Sequence, residues 1–407
     1  MRATREVMVL AVRAGHGFDG EEALPEGVVV LVDEGRILAV GGAGLAVPAD
    51  VPVLDFPAAT VLPGLVNCHV HLCADSRPGA LDRLVEYGPA ELTAVIERGL
   101  RQQLAAGVTT VRDLGDCDGA VLAWRDHWHH GARPPPPTVV ASGPPITSRQ
   151  GHCANMGGEA AGVDELRAGV LDRAARGADV VKVMASGGVM TPGTDVLACQ
   201  FTLPELRIVV QQAHSVGLPV TAHAHGLPAV QQVVEADVDG VEHCTCLTPA
   251  GIDVPDALLE SLAALGAAVC PTLGRDMAVA LPPELLAIME RIGLTRESRL
   301  AAVGRMHRAG VRLVSGGDDG IDAGKPHGSL PGGIADLVAG GVSPGDALAS
   351  ATSLAANACG LGGCKGRLRN GYDADLLIVA GDPLADIRAL REVSAVMLRG
   401  ERVDVPA

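Results

Sequence analysis

The sequence predicts an α/β protein built as a (β/α)8 TIM barrel, with a small β-sandwich domain assembled from both termini. Three observations predict this fold. Strand and helix patterns alternate through the middle of the 407-residue chain, β-rich segments occupy both ends, and 48% of the residues are hydrophobic although only 2% are aromatic. Eight β/α units over about 300 residues are typical of a barrel. A doubly wound open sheet is the alternative, but no GxGxxG motif follows the first strand.

Both ends of the chain carry short strands. The segment "GVVVLVDEGRILAVGG" is typical of two β-runs around an Asp-Glu-Gly turn. Near the other end, "GRLRNGYDADLLIVAGDPL" and "VSAVMLRGERVDV" have the same character. The prediction therefore places residues 1–58 and 363–407 in one composite β-sandwich domain and residues 59–362 in the barrel.

The central region supplies eight candidate strands, separated mostly by helical patterns. The segment "LTAVIERGLRQQLAAG" has a helical stripe of apolar residues and ends at Gly107, a typical C-cap. The strand candidates begin with "LVNCHVHL" (65–72) and "VTTVRDLG". They continue with "TVVASG" (138–143), "ADVVKVMASGG" (178–188), "LPVTAHAHG" (218–226), "VDGVEHC" (238–244), "AAVCPTL" (267–273) and "VRLVSGGD" (311–318).

Side chains able to bind metal ions recur at the predicted C-terminal strand ends, where the active sites of barrels lie. His69 and His71 point to one side of the first strand, because side chains alternate along a strand. The other candidate metal-binding side chains are Lys182 in the fourth strand, His223 in the fifth, His243 in the sixth and Asp318 in the eighth. A single strand histidine is usually structural, but six such residues in register indicate one converging metal site.

Lys182 is one of only three lysines among the 32 lysine and arginine residues of the chain. Its ammonium group is costly to bury in the apolar strand "DVVKVMASGG" unless it is neutralised, paired or modified. Carboxylation by CO2 gives a carbamate, an anionic oxygen ligand able to bridge two cations. A buried Lys–Asp ion pair is the alternative.

Charge and composition restrict the partners and the compartment. The net charge of −16 argues against nucleic acid or an anionic membrane surface as a partner. The first residues, "MRATREVMVLAVRAG", lack a sustained apolar region, and no apolar stretch is long enough to span a membrane. The ten cysteines form no CxxC pair. The sequence therefore predicts a cytoplasmic protein that acts on a small molecule.

The combined pattern HVH…K…H…H…D resembles the amidohydrolase superfamily. The phrases "AGVTTVRDLG", "VKVMASGG", "TAHAHG" and "VEHC" resemble its prolidase-like branch, which contains Xaa-Pro dipeptidases and other metal-dependent carboxypeptidases and is related to imidazolonepropionase. The resemblance implies two divalent metal ions, with zinc as the default for imidazole and carboxylate ligands. It also implies a homo-oligomer.

The resemblance implies a metal-ligand role for each residue of this sequence that matches a ligand position of the family's motif. The implied ligands are His69, His71 and Asp318 for the more buried ion, His223 and His243 for the more exposed ion, and carboxylated Lys182 as the bridge between them. In the family the last ligand lies in Gly-Thr-Asp. Here "SGGDDG" carries Gly317 in place of the threonine, which leaves Asp319 as an alternative ligand to Asp318.

The implied reaction is hydrolysis of an amide C–N bond, in a dipeptide or an N-acyl amino acid, by a hydroxide that bridges the two ions. Asp318 would carry the proton to the leaving nitrogen. His152 lies in a Gly-His loop that resembles a substrate-contacting group of this branch. It is therefore a second catalytic candidate and a candidate substrate ligand. Arg149 in the same loop and His225 beside His223 are further substrate-binding candidates.

Three other functions fit parts of the pattern. A mononuclear cyclic-amide hydrolase of the imidazolonepropionase type, or a deaminase, would lack the lysine of the fourth strand. Deaminases also carry an H-x-x-E motif that "HAHGLPAV" does not contain. A hydrolase of a specialised metabolite amide would keep the binuclear site. A non-catalytic binding protein on the same scaffold is disfavoured, because no ligand position is lost.

Overall fold

The computed structural model describes residues 9–128, 136–281 and 283–403. Its strands are β1 (Leu10–Phe18), β2 (Ala23–Leu24), β3 (Val28–Asp33), β4 (Arg36–Gly41), β5 (Val53–Pro63), β6 (Leu65–Val70), β7 (Val108–Asp113), β8 (Thr138–Ala141), β9 (Val181–Met184), β10 (Val220–Gly226), β11 (Gly240–Thr248), β12 (Gly251–Ile252), β13 (Ala268–Cys270), β14 (Leu376–Ala380), β15 (Val393–Leu398) and β16 (Glu401–Val403).

The helices alternate with the central strands. They are α1 (Pro89–Ala105), α2 (Ala120–Trp128), α3 (Gly162–Ala175), α4 (Leu203–Ser215), α5 (Leu227–Glu235), α6 (Asp256–Leu265), α7 (Pro283–Arg291), α8 (Arg296–Arg308), α9 (Leu330–Ala339), α10 (Pro344–Ser350) and α11 (Ser353–Ala358). In the described ranges, every helix is too short or too polar to cross a membrane.

Strands from both ends of the chain form one eight-stranded sheet, in the order β16-β15-β14-β5-β1-β3-β4 with β2 paired to β1. The two ends meet in the antiparallel ladder between β14 and β5, which runs from Leu376 opposite Pro63 to Ala380 opposite Ala59. Because β5 begins at Val53, it crosses the predicted domain boundary at residue 58. Among the described strands, the terminal segments belong to this one mixed sheet, and the two separate sheets of the predicted sandwich are not seen.

The central strands are mainly parallel and form two further sheets. One has the order β6-β7-β8, and the other has the order β12-β11-β10-β9 with β13 beside β11. Isolated bridges relate these sheets, from Ile146 to Val183 on one side and, on the other, through the segment 313–319, where Leu313 pairs with Val269 and Asp319 pairs with Val70. This arrangement is consistent with the predicted (β/α)8 barrel, although the hydrogen-bonded strands of the described residues do not form one continuous closed sheet.

The eighth predicted strand, residues 311–318, is not a regular strand in the structure. Leu313 makes one isolated bridge to Val269, and the following residues are extended without a ladder. The φ of Asp318 is +60°, in the left-handed region and far from the extended backbone of a regular strand. The backbone therefore turns at the position where the last predicted ligand is presented.

Helix α1 shows how the helices cover the strands. Gly88 precedes the helix, and its N–H donates to the Glu91 carboxylate at 2.9 Å. The predicted apolar stripe is buried, namely Leu92, Val95, Ile96, Leu100 and Leu104. Gly107 follows the helix with a φ of +81°, as its predicted role as a C-cap requires. Helix and strand side chains share one core, which holds the strand ends in place.

Candidate active site

All six predicted metal ligands lie at one end of the central strands. Their side chains line a common cavity of about 120 Å³. The imidazole centroid of His69 lies 5.3 Å from that of His71 and 5.2 Å from that of His243, and the His243 centroid lies 4.7 Å from that of His223. Residues that are up to about 250 positions apart in the sequence are therefore brought together as one cluster.

The first group of ligand atoms belongs to His69, His71 and Asp318, whose ligand atoms lie within 4.8 Å of one another. Asp318 Oδ1 lies 3.3 Å from the Nε2 atoms of both histidines. His71 Nδ1 lies 3.0 Å from the carbonyl oxygen of Gly115, so that its Nε2 faces the cavity. Burial alone would raise the pKa of Asp318, but the two histidines hold it well below its usual range.

The second group of ligand atoms belongs to His223, His225 and His243, again within 4.8 Å of one another. Each imidazole is oriented through its other nitrogen, a common arrangement for metal-binding histidines. His223 Nε2 lies 3.1 Å from the Gly187 carbonyl oxygen, and His243 Nδ1 lies 2.8 Å from Thr272 Oγ1. Burial lowers the pKa of all three histidines, so neutral rings present a lone pair. The structure thus places His225 among possible ligands as well as near a substrate.

Lys182 lies in β9, lines the same cavity as these two groups and is 1% exposed. Burial lowers the pKa of its amine. Its charge in turn contributes to lowering the pKa of both His69 and His223, one from each group. Among the described side chains, no carboxylate comes within ion-pairing distance of Lys182. The alternative of a buried Lys–Asp ion pair is therefore not found in this part of the chain.

Asp319 is turned away from the histidines and is hydrogen-bonded in the interior. Its carboxylate accepts from Gln103 Nε2 at 2.7 Å, Asn67 Nδ2 at 3.1 Å, Gly328 N at 3.1 Å and Ser329 Oγ at 2.5 Å. A Cβ atom added at Gly317 would collide with Asp319 Oδ1. The unusual "SGGDDG" text is thereby explained, because the Asp319 carboxylate occupies the space that a side chain at position 317 would need.

The two substrate candidates of the 149–152 loop have different locations. The His152 ring lies 4.6 Å from that of His223, and its Nδ1 lies 2.7 Å from Thr191 Oγ1. Arg149 is exposed and pairs with Glu165 at 2.6 Å on the surface. The prediction for Arg149 is therefore corrected, because the turn that Ser148 and Gly151 close directs its side chain outward.

Comparison with known proteins agrees with this site. Residues 60–403 match the Amidohydrolase family. The chain belongs to the amidohydrolase family.

The relatives of this amidohydrolase identify its branch. Ochratoxinase of Aspergillus niger is 28% identical over 97% of this chain and 86% of the relative. Its crystal structure gives a TM-score of 0.80 at 25% identity, over 98% of this chain and 96% of that chain. The crystal structure of a putative prolidase from Bifidobacterium longum gives a TM-score of 0.78 at 27% identity, over 98% of this chain and 95% of that chain. Imidazolonepropionase of Salinispora tropica is 28% identical over 58% of this chain and 61% of its own length. The predicted prolidase-like resemblance is confirmed.

Glu242 is a buried carboxylate of this amidohydrolase site that sequence reasoning missed. Its Oε2 lies 2.7 Å from His69 Nδ1, and its Oε1 accepts from Arg112 Nη2 at 2.9 Å and Thr221 Oγ1 at 2.6 Å. Burial would raise the pKa of Glu242, but Arg112 and His69 lower it to about 2. Strand alternation predicts opposite faces for Glu242 and His243. The φ of +63° at His243 breaks that alternation, so both side chains serve the site.

The rest of the amidohydrolase cavity is partly apolar and partly cationic. Its apolar wall contains Leu81, Val189, Met190, Leu281, Met289, Leu294 and Ile321. Its charged side chains beyond the predicted ligands are Arg275, Arg299, Asp322 and Lys325. The sequence pattern held no signal for these residues, because they lie in loops, in α7 and near the start of α8.

Proposed function

We propose that this amidohydrolase is a binuclear metal-dependent hydrolase that cleaves an amide C–N bond in a dipeptide or an N-acyl amino acid. One observation carries the proposal: two groups of ligand atoms open on one cavity, which is also lined by a buried lysine. A specialised metabolite amide is the second candidate substrate, because the similarity to ochratoxinase supports it. The small-molecule partner, the homo-oligomer and the cytoplasmic location remain predictions of the sequence.

The donor atoms fit divalent ions of the zinc type. The first group offers two imidazoles and a carboxylate, and the second offers three neutral imidazoles. Imidazole and carboxylate ligands without thiolates suit Zn²⁺ and similar ions. Such ions, when bound, lower the pKa of a water molecule and polarise a substrate carbonyl. The ligands proposed for the two ions are those that the sequence predicted, with His225 as an additional donor.

Lys182 is chemically suited to become the bridging ligand. Only an uncharged amine reacts with CO2, and burial lowers the pKa of this amine. In that reaction the lysine nitrogen forms a bond to the carbon of CO2 and releases one proton. The resulting carbamate would supply anionic oxygen ligands to divalent ions held by the two groups of ligand atoms.

Asp318 and His152 are proposed to act on the reacting atoms. Asp318 Oδ1 lies 3.3 Å from the Nε2 atoms of His69 and His71 at the cavity, where its carboxylate would accept a proton from the attacking water and return it to the leaving nitrogen. Thr191 holds His152 Nδ1 and fixes the ring beside His223. His152 is thereby positioned to donate a hydrogen bond to the substrate carbonyl oxygen.

Metal analysis and a substrate screen test the proposed function. The full chain is produced with Zn²⁺ and bicarbonate and is assayed for bound metal by elemental analysis. It is then assayed against L- and D-dipeptides, N-acyl amino acids and ochratoxin A. We expect about two ions per chain and hydrolysis of at least one of these amides. One ion per chain would indicate the mononuclear alternative, and a chain without metal or turnover would indicate a binding protein.

His152→Ala should leave the metal content unchanged and lower kcat/KM. The expected loss is about 2–4 kcal/mol of transition-state stabilisation, since His152 would donate to a developing oxyanion. Arg149→Ala is the matched control from the same loop, and it should retain wild-type kinetics because Arg149 pairs with Glu165 on the surface. If His152→Ala hydrolyses the substrate as fast as the wild type, His152 has no role in the reaction.

A further inference from the structure

We infer that Arg299 forms a subsite for a carboxylate of the substrate, which restricts the enzyme to amides that carry a free carboxylate beside an apolar side chain. The inference rests on the proposed function, because it names the substrate class of the same cavity. It comes from comparing the partners of the four cationic side chains that line the cavity: Lys182, Arg275, Arg299 and Lys325.

Lys325 is occupied by backbone carbonyl groups. Its Nζ donates to Thr272 O at 2.6 Å, Gly317 O at 2.7 Å and Leu273 O at 3.3 Å. An ammonium group has three donors, so these contacts use all of them. Lys325 therefore ties together the two backbone segments that present Thr272 and Asp318, and it has no donor left for a substrate.

Two further cations have other partners or roles. Arg275 Nη1 donates to both carboxylate oxygens of Asp322, at 2.9 and 3.1 Å, so that its charge is compensated at the cavity wall. Lys182 is almost fully buried in the cavity wall, and the proposed carbamate would form on its nitrogen. Neither side chain offers an uncompensated charge to a substrate anion.

Arg299, in α8, differs from the other three cations. Only its Nη2 is used in the described contacts, donating to Pro271 O at 2.5 Å and Thr272 O at 3.1 Å. Among the described side chains, no carboxylate lies within ion-pairing distance of its guanidinium. A partly buried guanidinium without an anion is unfavourable, and its planar fork suits a carboxylate. We therefore assign the role of the missing anionic partner of Arg299 to a carboxylate of the bound substrate.

The position of Arg299 places that anion beside the second group of histidines. Thr272 connects the two, because its carbonyl accepts from Arg299 while its hydroxyl lies 2.8 Å from His243 Nδ1. Burial is the main cause that lowers the pKa of His225 to about 3. The charge of His152 contributes next, and the charge of Arg299 follows. A carboxylate bound to Arg299 thus lies next to the histidines at which the scissile amide is expected.

The apolar wall near this corner specifies the neighbouring group of the substrate. Leu294 is buried, and Val189 and Met289 pack in the same small hydrophobic cluster. All three line the cavity, as do Leu281 and Ile321. An aliphatic side chain next to the carboxylate would be desolvated against this wall, whereas a charged side chain would lose hydration without a partner.

Ligand binding tests the subsite independently of turnover. The probes are N-methanesulfonyl-L-leucine, whose sulfonamide bond resists hydrolysis, and its neutral carboxamide, both titrated calorimetrically into the metal-loaded full chain. We expect the wild type to bind the acid at least tenfold more tightly than the carboxamide. Arg299→Met should reduce that preference to less than threefold, and Arg299→Lys should keep an intermediate preference. Arg149→Met is the surface control and should match the wild type.

The possible results distinguish a failure of the Arg299 subsite from a failure of the proposed hydrolase function. If Arg299→Met keeps a tenfold preference for the acid, the anion binds to the metal ions or to another residue and the inference is wrong. An equal loss of affinity for acid and carboxamide would mean that Arg299 only supports the Pro271 and Thr272 carbonyls, which also overturns it. If the preference depends on Arg299 but the chain holds no metal and hydrolyses no amide, the subsite stands and the proposed function fails.

Discussion

Lys182→Ala should lose the two-ion centre and nearly all turnover. The loss of kcat should exceed about 10²-fold, because removing even an indirect partner of a metal site already costs about 10–100-fold in metal affinity or activity. The structural reason is that the buried Lys182 lines the same cavity as both groups of ligand atoms, where its carbamate would supply a shared ligand. Metal content and steady-state kinetics on the best substrate of the screen measure both effects.

Two controls make the lysine experiment specific. Short carboxylic acids such as acetate should restore part of the activity of Lys182→Ala, because they supply the missing oxygen ligand. Lys365→Met replaces another buried lysine, which is paired with Asp373 at 2.8 Å and with Asp375 at 2.5 Å. That variant should lower the melting temperature while it keeps both ions. A Lys182→Ala protein with two tightly bound ions and wild-type rates would contradict the carbamate bridge.

Asp318→Asn should lower kcat by at least about 10²-fold, the lower range for the loss of general acid–base catalysis. The amide keeps the shape of the carboxylate but accepts no proton and binds a cation more weakly. Asp318 Oδ1 faces the Nε2 atoms of His69 and His71, so the change acts directly on the first group of ligand atoms. Bound metal and kcat are measured together.

Asp319→Asn is the matched control next to it in the chain. It should keep its metal and kcat but lose about 1–3 kcal/mol of stability, because its neighbours lose a charged acceptor. Gln103 Nε2, Asn67 Nδ2 and Gly328 N would donate to a neutral amide oxygen, and Ser329 Oγ would have to accept from the amide nitrogen instead of donating. Denaturant unfolding measures this loss. The reverse result, an inactive Asp319→Asn beside an active Asp318→Asn, would exchange the roles of the two aspartates.

Much of the architecture was predictable from local properties of the sequence. The apolar stripe of α1 and the β-branched strands follow from residue period, because each face of a helix or strand is set by near neighbours in the chain. The positions of His69, Lys182, His223 and His243 at strand ends were predictable for the same reason. The branch of the amidohydrolase superfamily followed from short motifs around these residues.

Other features depend on contacts and backbone angles that no local pattern contains. Glu242 reaches His69 across 173 positions of sequence, and the positive φ of His243 turns a residue that alternation would place on the other face. The positive φ of Asp318 replaces the predicted eighth strand and points Asp318 to the histidines, while Asp319 is held in the interior.

The residues that face the substrate cavity could be identified only from the tertiary structure. Sequence proximity to His152 suggested Arg149, but a tight turn places Arg149 on the surface beside Glu165. Arg299, which is distant in sequence from the predicted ligands, reaches the cavity because α8 packs against the segment that contains Pro271 and Thr272. The α/β class, the family and the metal-binding residue types were predictable from the sequence, because they depend on local period and chemistry. The structure decided which charges face the substrate, because that depends on where separate loops meet.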